Sequence, residues 1–268
     1  FAGVCFILSL KGLSHPSTAR RGNLLGALGA TIATILVFFR SENEGRNLLW
    51  ILGAIAFGVV IGVPAARKVQ MTAMPQLVAL FNGVGGGAAA LVAIVEYLKL
   101  GESASTPEVI ATVFTVIVGC ISFSGSIVTF LKLQELMTTA PVIFPGGRFV
   151  IGATLGGVLA VAGWVGYALG TTPLLILAGL SLIFGILFVL PVGGADVPIV
   201  ISLLNAFTGL TVAASGYVLQ ATLLIIAGTL VGASGTILTR LMAEAMGRSL
   251  FGTLFGAFTA KAQSGSGA

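Results

Sequence analysis

The chain alternates long apolar runs with short polar stretches. Nine apolar segments can be distinguished, at about 1–13, 23–39, 47–65, 76–98, 109–131, 149–169, 173–191, 198–215 and 221–240. Most of them reach the roughly 17–25 residues that an α-helix needs to cross a bilayer core of about 30 Å. The pattern predicts an all-α polytopic membrane protein, a bundle of nine transmembrane helices within residues 1–261.

Composition agrees with a membrane location. Hydrophobic residues make up 57% of the 268 residues and charged residues only 8%, whereas soluble domains carry about a quarter charged residues. The net charge of +5 does not indicate nucleic-acid binding, because the basic residues fall in short loops. Cys5 and Cys120 lie in separate apolar segments and form neither a disulfide framework nor a metal-binding spacing.

The basic residues also predict an orientation. Ten Lys and Arg residues fall at the odd-to-even junctions and the C-terminal flank, and three fall in the opposite loops. The positive-inside rule therefore predicts an N-terminus outside and a C-terminus in the cytoplasm, as nine crossings require. Residues 262–268 have linker composition, which is compatible either with the start of a tether or with a disordered terminus.

Three polar side chains are predicted at similar depths. Asn82 lies seven residues after Pro75, and Asn205 lies seven residues after Pro198, which places each about 10 Å along its helix. Ser126 lies six residues before Lys132, or about 9 Å along its own helix. The coincidence favours a shared polar layer, although helix–helix packing through small and polar residues remains an alternative.

Titratable side chains are missing from the middle of every predicted segment. A proton relay through this layer would need water or a side chain from another subunit. Asp196 precedes the eighth segment, where it is either an N-cap or a functional carboxylate at the cytoplasmic end. The glycine-rich run 83–87 lies inside an apolar segment with no strand before it, so it only superficially resembles a nucleotide-binding loop.

Several short motifs carry a family resemblance. They are Leu13-Ser14-His15-Pro16, Ala66-Arg67-Lys68-Val69, Met74-Pro75-Gln76-Leu77-Val78-Ala79, Ser124-Gly125-Ser126, Gly193-Gly194-Ala195-Asp196-Val197-Pro198, Ser202-Leu203-Leu204-Asn205 and the stretch 240–249. In this order they resemble the membrane part of the beta subunit of proton-translocating nicotinamide nucleotide transhydrogenase. The resemblance spans essentially the whole chain.

The resemblance implies hydride transfer between NAD(H) and NADP(H), coupled to proton passage. Both nucleotides would bind soluble domains outside this chain, so no cofactor and no hydride-transfer residue is expected here. The resemblance assigns the proton pathway to Asn82, Ser126 and Asn205, and contact with the NADP(H) domain to Asp196. Many members have His where this chain has Asn82, and a partner helix supplying a titratable group is the preferred explanation for that difference.

The implied partners are one or more alpha subunits, a second copy of the complex in a homodimer, and the lipid bilayer of a bacterial plasma (inner) membrane. An NADP(H)-binding domain is expected to follow Ala268. The alternative function is that of an ion-coupled secondary transporter of a small solute, which would have a solute-sized cavity and broken helices. A structural membrane anchor is a third possibility, but it would leave the polar layer unexplained.

Overall fold

The computed structural model describes residues 1–40, 47–249 and 252. Within them the chain forms nine α-helices, and the all-α prediction is confirmed there. They are α1 (Ala2–Leu13), α2 (Pro16–Arg40), α3 (Leu48–Lys68), α4 (Met74–Leu100), α5 (Thr106–Leu133), α6 (Gly147–Ala168), α7 (Thr171–Val189), α8 (Val197–Val218) and α9 (Thr222–Ala245). The predicted linker 262–268 and the loop charges Glu42, Glu44, Arg46 and Lys261 lie outside the described residues.

Seven of these helices, α3 to α9, are long and apolar enough to cross a membrane. The first helix has only 12 residues. The helices generally extend a few residues beyond the predicted apolar segments, because polar residues at their ends are helical as well. At the start of α5, for example, Ser105 and Glu108 form a capping box, so the helix begins three residues before the apolar run.

The chain divides into two compact units, residues 1–73 and residues 74–268. In the first unit α1 and α2 pack closely, because Gly12 and Gly22 bring their backbones together. No residue of α3 is buried. An apolar helix with no buried face is typical of a segment that is covered by lipid or by another protein.

The second unit is built around α5, which packs against α4, α6, α7 and α8. Its inner side contacts a large apolar core formed with α4, α6 and α7, which includes Val116, Val158 and Leu177. A smaller cluster between α5, α7 and α8 includes Val128, Val189 and Leu204. Because α5 is buried along most of its length, polar residues on this helix lie between neighbouring helices.

Glycines set the close approach of α9 to α8. An added Cβ at Gly228 would overlap the backbone nitrogen of Ala213, and one at Gly209 would lie 2.5 Å from the backbone nitrogen of Gly232. These contacts are with backbone atoms, which cannot rotate away. The pair is therefore held by close packing of small residues, as is common in membrane bundles.

Candidate functional site: a polar cluster between three helices

Asn82 of α4 lies at the centre of a buried polar cluster. Its side chain is only 8% exposed. The amide Nδ2 donates hydrogen bonds to Ser126 Oγ at 2.9 Å and to Ser122 Oγ at 3.3 Å. Both serines belong to α5, where they are almost completely buried. The structure therefore brings together two of the predicted site residues, Asn82 and Ser126.

Two glycines of α4 allow this close contact. A Cβ at Gly83 would lie 3.0 Å from Ser126 Cβ, and one at Gly86 would lie 3.0 Å from Ser122 Cβ. Such distances are tighter than ordinary packing. The glycine-rich run is thus a helical surface that lets α5 approach until an Asn side chain can reach two hydroxyl groups.

Helix α8 completes the polar cluster through Thr208 and a backbone carbonyl. Ser122 Oγ lies 2.5 Å from Thr208 Oγ1, and it also donates to the Leu204 carbonyl oxygen at 3.0 Å. Thr208 Oγ1 approaches the same carbonyl oxygen at 3.0 Å. We refer to Asn82, Ser122, Ser126 and Thr208 as the Asn82 cluster. Its hydroxyl groups can both donate and accept, so protons can be exchanged along it.

One atom of this cluster lacks a partner. Among the described residues, no group donates a hydrogen bond to Asn82 Oδ1, although this oxygen is buried. A buried carbonyl oxygen without a donor costs about 1–3 kcal/mol. The Asn82 cluster is therefore incomplete on one side and can accept a hydrogen bond from a water molecule or from another chain.

Asn205 lies at the expected level along α8, but it does not make the expected contact with Asn82 and Ser126. It is adjacent to Leu204, whose carbonyl oxygen belongs to the network, yet in the described part of the chain no hydrogen bond joins its half-buried side chain to Asn82 or Ser126. Along α8 it lies about 60° from Thr208, which faces α4 and α5, and about 40° from Gly209, which faces α9. A depth calculation locates a residue along a helix axis, but it does not determine the side of the helix.

Asp196 stands at the N-cap position of α8, yet its side chain makes no capping hydrogen bond. Asp196 therefore occupies the N-cap position considered from the sequence, but its side chain does not cap the helix. Its Oδ1 atom lies 3.5 Å from Arg248 Nε, just beyond α9. This is an ion pair, but not a hydrogen bond, since Oδ1 has no hydrogen-bond partner among the described residues. The carboxylate thus links the start of α8 to the segment that follows α9.

Lys132 is a buried cation that sequence reasoning counted only as a boundary charge. It is completely buried, and its Nζ atom donates to the carbonyl oxygens of Leu190 at 2.6 Å and Val192 at 2.7 Å, with Val189 at 3.4 Å. These carbonyls lie at the C-terminal end of α7, where a positive charge is favourable. Lys132 therefore holds the beginning of the segment that leads to Asp196.

Comparison with known proteins then identifies the chain. The profile of the family described as NAD(P) transhydrogenase beta subunit matches residues 1–268. Two curated relatives from Rhodospirillum rubrum, both named NAD(P) transhydrogenase subunit beta, are each 42% identical over 264 residues, or 96% of this chain. The chain belongs to the NAD(P) transhydrogenase beta subunit family. It spans 56% of the length of those relatives.

Family membership confirms the resemblance read from the motifs. Together with the seven membrane-capable helices, it supports a multi-pass membrane protein.

The glycine-rich run 83–87 does not form a nucleotide-binding loop. The run 83–87 is helical throughout, so its amides are engaged in helix hydrogen bonds, and Gly83, Gly86 and Gly87 pack against α5. Among the described residues there is also no cluster of His, Cys, Asp and Glu suited to a metal ion. The Asn82 cluster itself consists of hydroxyl and amide groups.

Proposed function

We propose that this chain is the proton-translocating membrane part of an NAD(P) transhydrogenase. It couples proton passage across the membrane to hydride transfer between NAD(H) and NADP(H), which are bound on soluble domains outside residues 1–268. The family match supports this function over the solute transporter that the sequence left open. The observation that carries the proposal is the Asn82 cluster, a buried network of exchangeable protons with one free acceptor.

The free acceptor defines what a partner must supply. Asn82 does not titrate near neutral pH, and hydroxyl groups do not either, so this network relays a proton without storing it. We propose that a membrane helix of an alpha subunit places a titratable side chain near Asn82. That group donates to Asn82 Oδ1 when it is protonated, so protonation changes how the two chains contact each other.

Asp196 is proposed to pass this change to the NADP(H)-binding domain. Coupling requires the protonated group to interact differently with two states of the complex. The ion pair of Asp196 with Arg248 connects the start of α8 to the chain beyond α9, and α8 also carries Thr208 of the Asn82 cluster. The curated relatives are longer than this chain, and we propose that their additional length includes this soluble domain.

The proposed setting is a bacterial inner membrane, with the N-terminus outside, the C-terminus in the cytoplasm, and two copies of the complex forming a dimer. The distribution of Lys and Arg supports this orientation. In this proposed orientation the Asp196–Arg248 pair lies on the cytoplasmic side, where soluble nucleotide-binding domains are accessible.

The proposal is tested with the complete complex reconstituted in vesicles. Proton uptake driven by the nucleotide couple is followed with a pH-sensitive dye, and hydride transfer by absorbance. Asn82→Leu and Asn205→Leu should each lower the coupled rates at least about tenfold, because about 1.4 kcal/mol of lost stabilisation corresponds to a factor of ten. Nucleotide binding by the soluble domains should be retained.

The matched control is Val84→Leu, at a position on α4 whose side chain is 54% exposed in this chain and makes no contact with the Asn82 cluster. It should retain both rates. Unchanged proton uptake in Asn82→Leu would contradict the proposal. Unchanged uptake in Asn205→Leu alone would contradict the assignment of Asn205 to the pathway.

A further inference from the structure

A second group of buried polar atoms lies between α4 and α5, further toward the first residue of α5. It consists of the hydroxyl groups of Tyr97, Thr112 and Thr115, which have no hydrogen-bond partner among the described residues. All three residues are at most 2% exposed. This is unusual, because buried hydroxyl groups in proteins nearly always have a partner.

The two threonines share a helix face with the Asn82 cluster. Thr112, Thr115, Ser122 and Ser126 lie within about 80° of one another around α5. Thr115 is seven residues from Ser122, which corresponds to about 10 Å along the helix. Both groups therefore face α4, one above the other along the same interface.

The register of α4 against α5 places Tyr97 at the level of Thr112. In this antiparallel pair Gly83 meets Ser126, Gly86 meets Ser122, and Ala90 meets Gly119. When the same pairing is continued one helical turn at a time toward the end of α4, Ala93 lies opposite Thr115 and Tyr97 lies opposite Thr112. The small Ala93 side chain offers no hydrogen-bonding group, so the three hydroxyl groups share an interface without satisfying one another.

Local bonding does not explain the threonines either. A Thr hydroxyl in a helix commonly bonds to the carbonyl oxygen four residues earlier, as Thr129 does with Gly125 at 2.8 Å on this same helix. The hydroxyl groups of Thr112 and Thr115 make no such bond. They remain free to bind a small polar ligand, and only a molecule of the size of water suits so closely packed an interface.

A constriction at Gly119 separates the two polar groups. An added Cβ at this position would lie 2.7 Å from the Gly86 carbonyl oxygen and 3.2 Å from Thr211 Cγ2. Helices α4 and α8 therefore close over α5 one turn beyond Ser122. A proton passing from one polar group to the other must cross this narrow step.

We propose that Tyr97, Thr112 and Thr115 form a water-binding site that lies in the same α4–α5 interface as the Asn82 cluster and ends at the Gly119 constriction. Its use by the proton rests on the proposed function, whereas the binding of water does not. Water bound there satisfies the three hydroxyl groups and extends hydrogen-bonded contact toward the Thr106 end of α5. The constriction interrupts the water. A coupled pump must avoid a continuous file of water, because protons would pass along it without coupling.

The experiment measures water access at single cysteines in the complete, reconstituted complex. Cys5 and Cys120 are first replaced by Ala, and Thr115→Cys is compared with Val116→Cys. Val116 is the matched control, since it is also completely buried but lies about 100° further round the helix, in the apolar core. The readout is exchange of the thiol proton for deuterium in heavy water, followed through the infrared S–H stretching band as a difference from the complex without the introduced cysteine. Only water has to reach the sulfur for this exchange, and no nucleotide is present.

The thiol of Thr115→Cys should exchange at least tenfold faster than that of Val116→Cys. If Thr115→Cys does not assemble, Thr112→Cys is read against the same control. Equal, slow thiol exchange at the threonine and valine positions would overturn the water site. This result is separable from failure of the proposed function, which would instead appear as an absence of nucleotide-driven proton uptake in the unsubstituted complex.

Discussion

Ser122 shows how one hydroxyl group joins three helices. It accepts a hydrogen bond from Asn82 Nδ2, lies 2.5 Å from Thr208 Oγ1, and reaches the Leu204 carbonyl oxygen. Without Ser122, Asn82 and Ser126 would have no hydrogen-bonded connection to α8. Ser122 is therefore the bridge of the Asn82 cluster.

Ser122→Ala should lower the rate of proton-coupled hydride transfer about tenfold, because it removes the hydrogen bonds that join Asn82 to α8, and a loss of about 1.4 kcal/mol corresponds to a factor of ten. The rate is measured in vesicles with the pH-sensitive dye. The control is Ser124→Ala on the same helix, whose hydroxyl group bonds only to the Cys120 carbonyl oxygen of its own helix. Similar rates for both variants would argue against a bridging role.

At this scale the sequence predicted part of the cluster. Ser122 could be seen to share a face with Ser126, but nothing in the sequence showed that it contacts α8. Thr208 was missed in favour of Asn205, since the choice between two polar residues three positions apart depends on the rotation of α8. That rotation is set by the glycine contacts of α8 with α9, which are tertiary and leave no local signal.

Among the helices, the junction of α5 with α7 is the least predictable from sequence. The apolar segments were located within a few residues, because hydropathy alone indicates them. The role of Lys132 was not predicted, since a basic residue near the end of a helix usually extends into the aqueous interface. Here it turns inward, because three carbonyl oxygens at the end of α7 accept its hydrogen bonds.

Lys132→Met should destabilise the protein by about 2–4 kcal/mol, because it removes charge-assisted hydrogen bonds from buried carbonyl groups. Thermal unfolding of the complex in detergent measures this as a lower apparent Tm. Lys99→Met is the control, since Lys99 is 67% exposed and pairs only with Glu96, an interaction worth at most about 1 kcal/mol. Equal stability of the two variants would show that Lys132 does not hold α7.

For the whole molecule, the important connection runs between the Asn82 cluster and the Asp196–Arg248 pair. The Asn82 cluster includes Thr208 of α8, and Asp196 is the N-cap residue of the same helix. Lys132 fixes the segment that enters this helix. The sequence identified Asp196 through a family motif, whereas its partner Arg248 lies more than fifty residues away and could be found only from the fold. The orientation and the dimer remain predictions.

Arg248→Gln should leave the apparent Tm nearly unchanged, because Arg248 is 53% exposed and pairs of this kind contribute little stability. It should nevertheless lower proton uptake per hydride transferred, since Asp196 loses its link to the chain beyond α9. The ratio is obtained from parallel dye and absorbance traces. The charge-swapped variant, Asp196→Arg with Arg248→Asp, should recover part of the ratio, and a purely structural pair would change Tm instead.

The close contacts at Gly83 and Gly86 restrict how α4 and α5 can move against each other. Each glycine packs against a serine of α5 at the limit of contact. A shift of one helix along the other by even one residue, about 1.5 Å, would bring side chains into collision with backbone atoms. Motion in the Asn82 cluster is thereby restricted to swivelling of hydroxyl groups and of one amide. A half-turn of that amide would exchange its donor and acceptor ends, giving two alternative hydrogen-bond patterns within an unmoved scaffold.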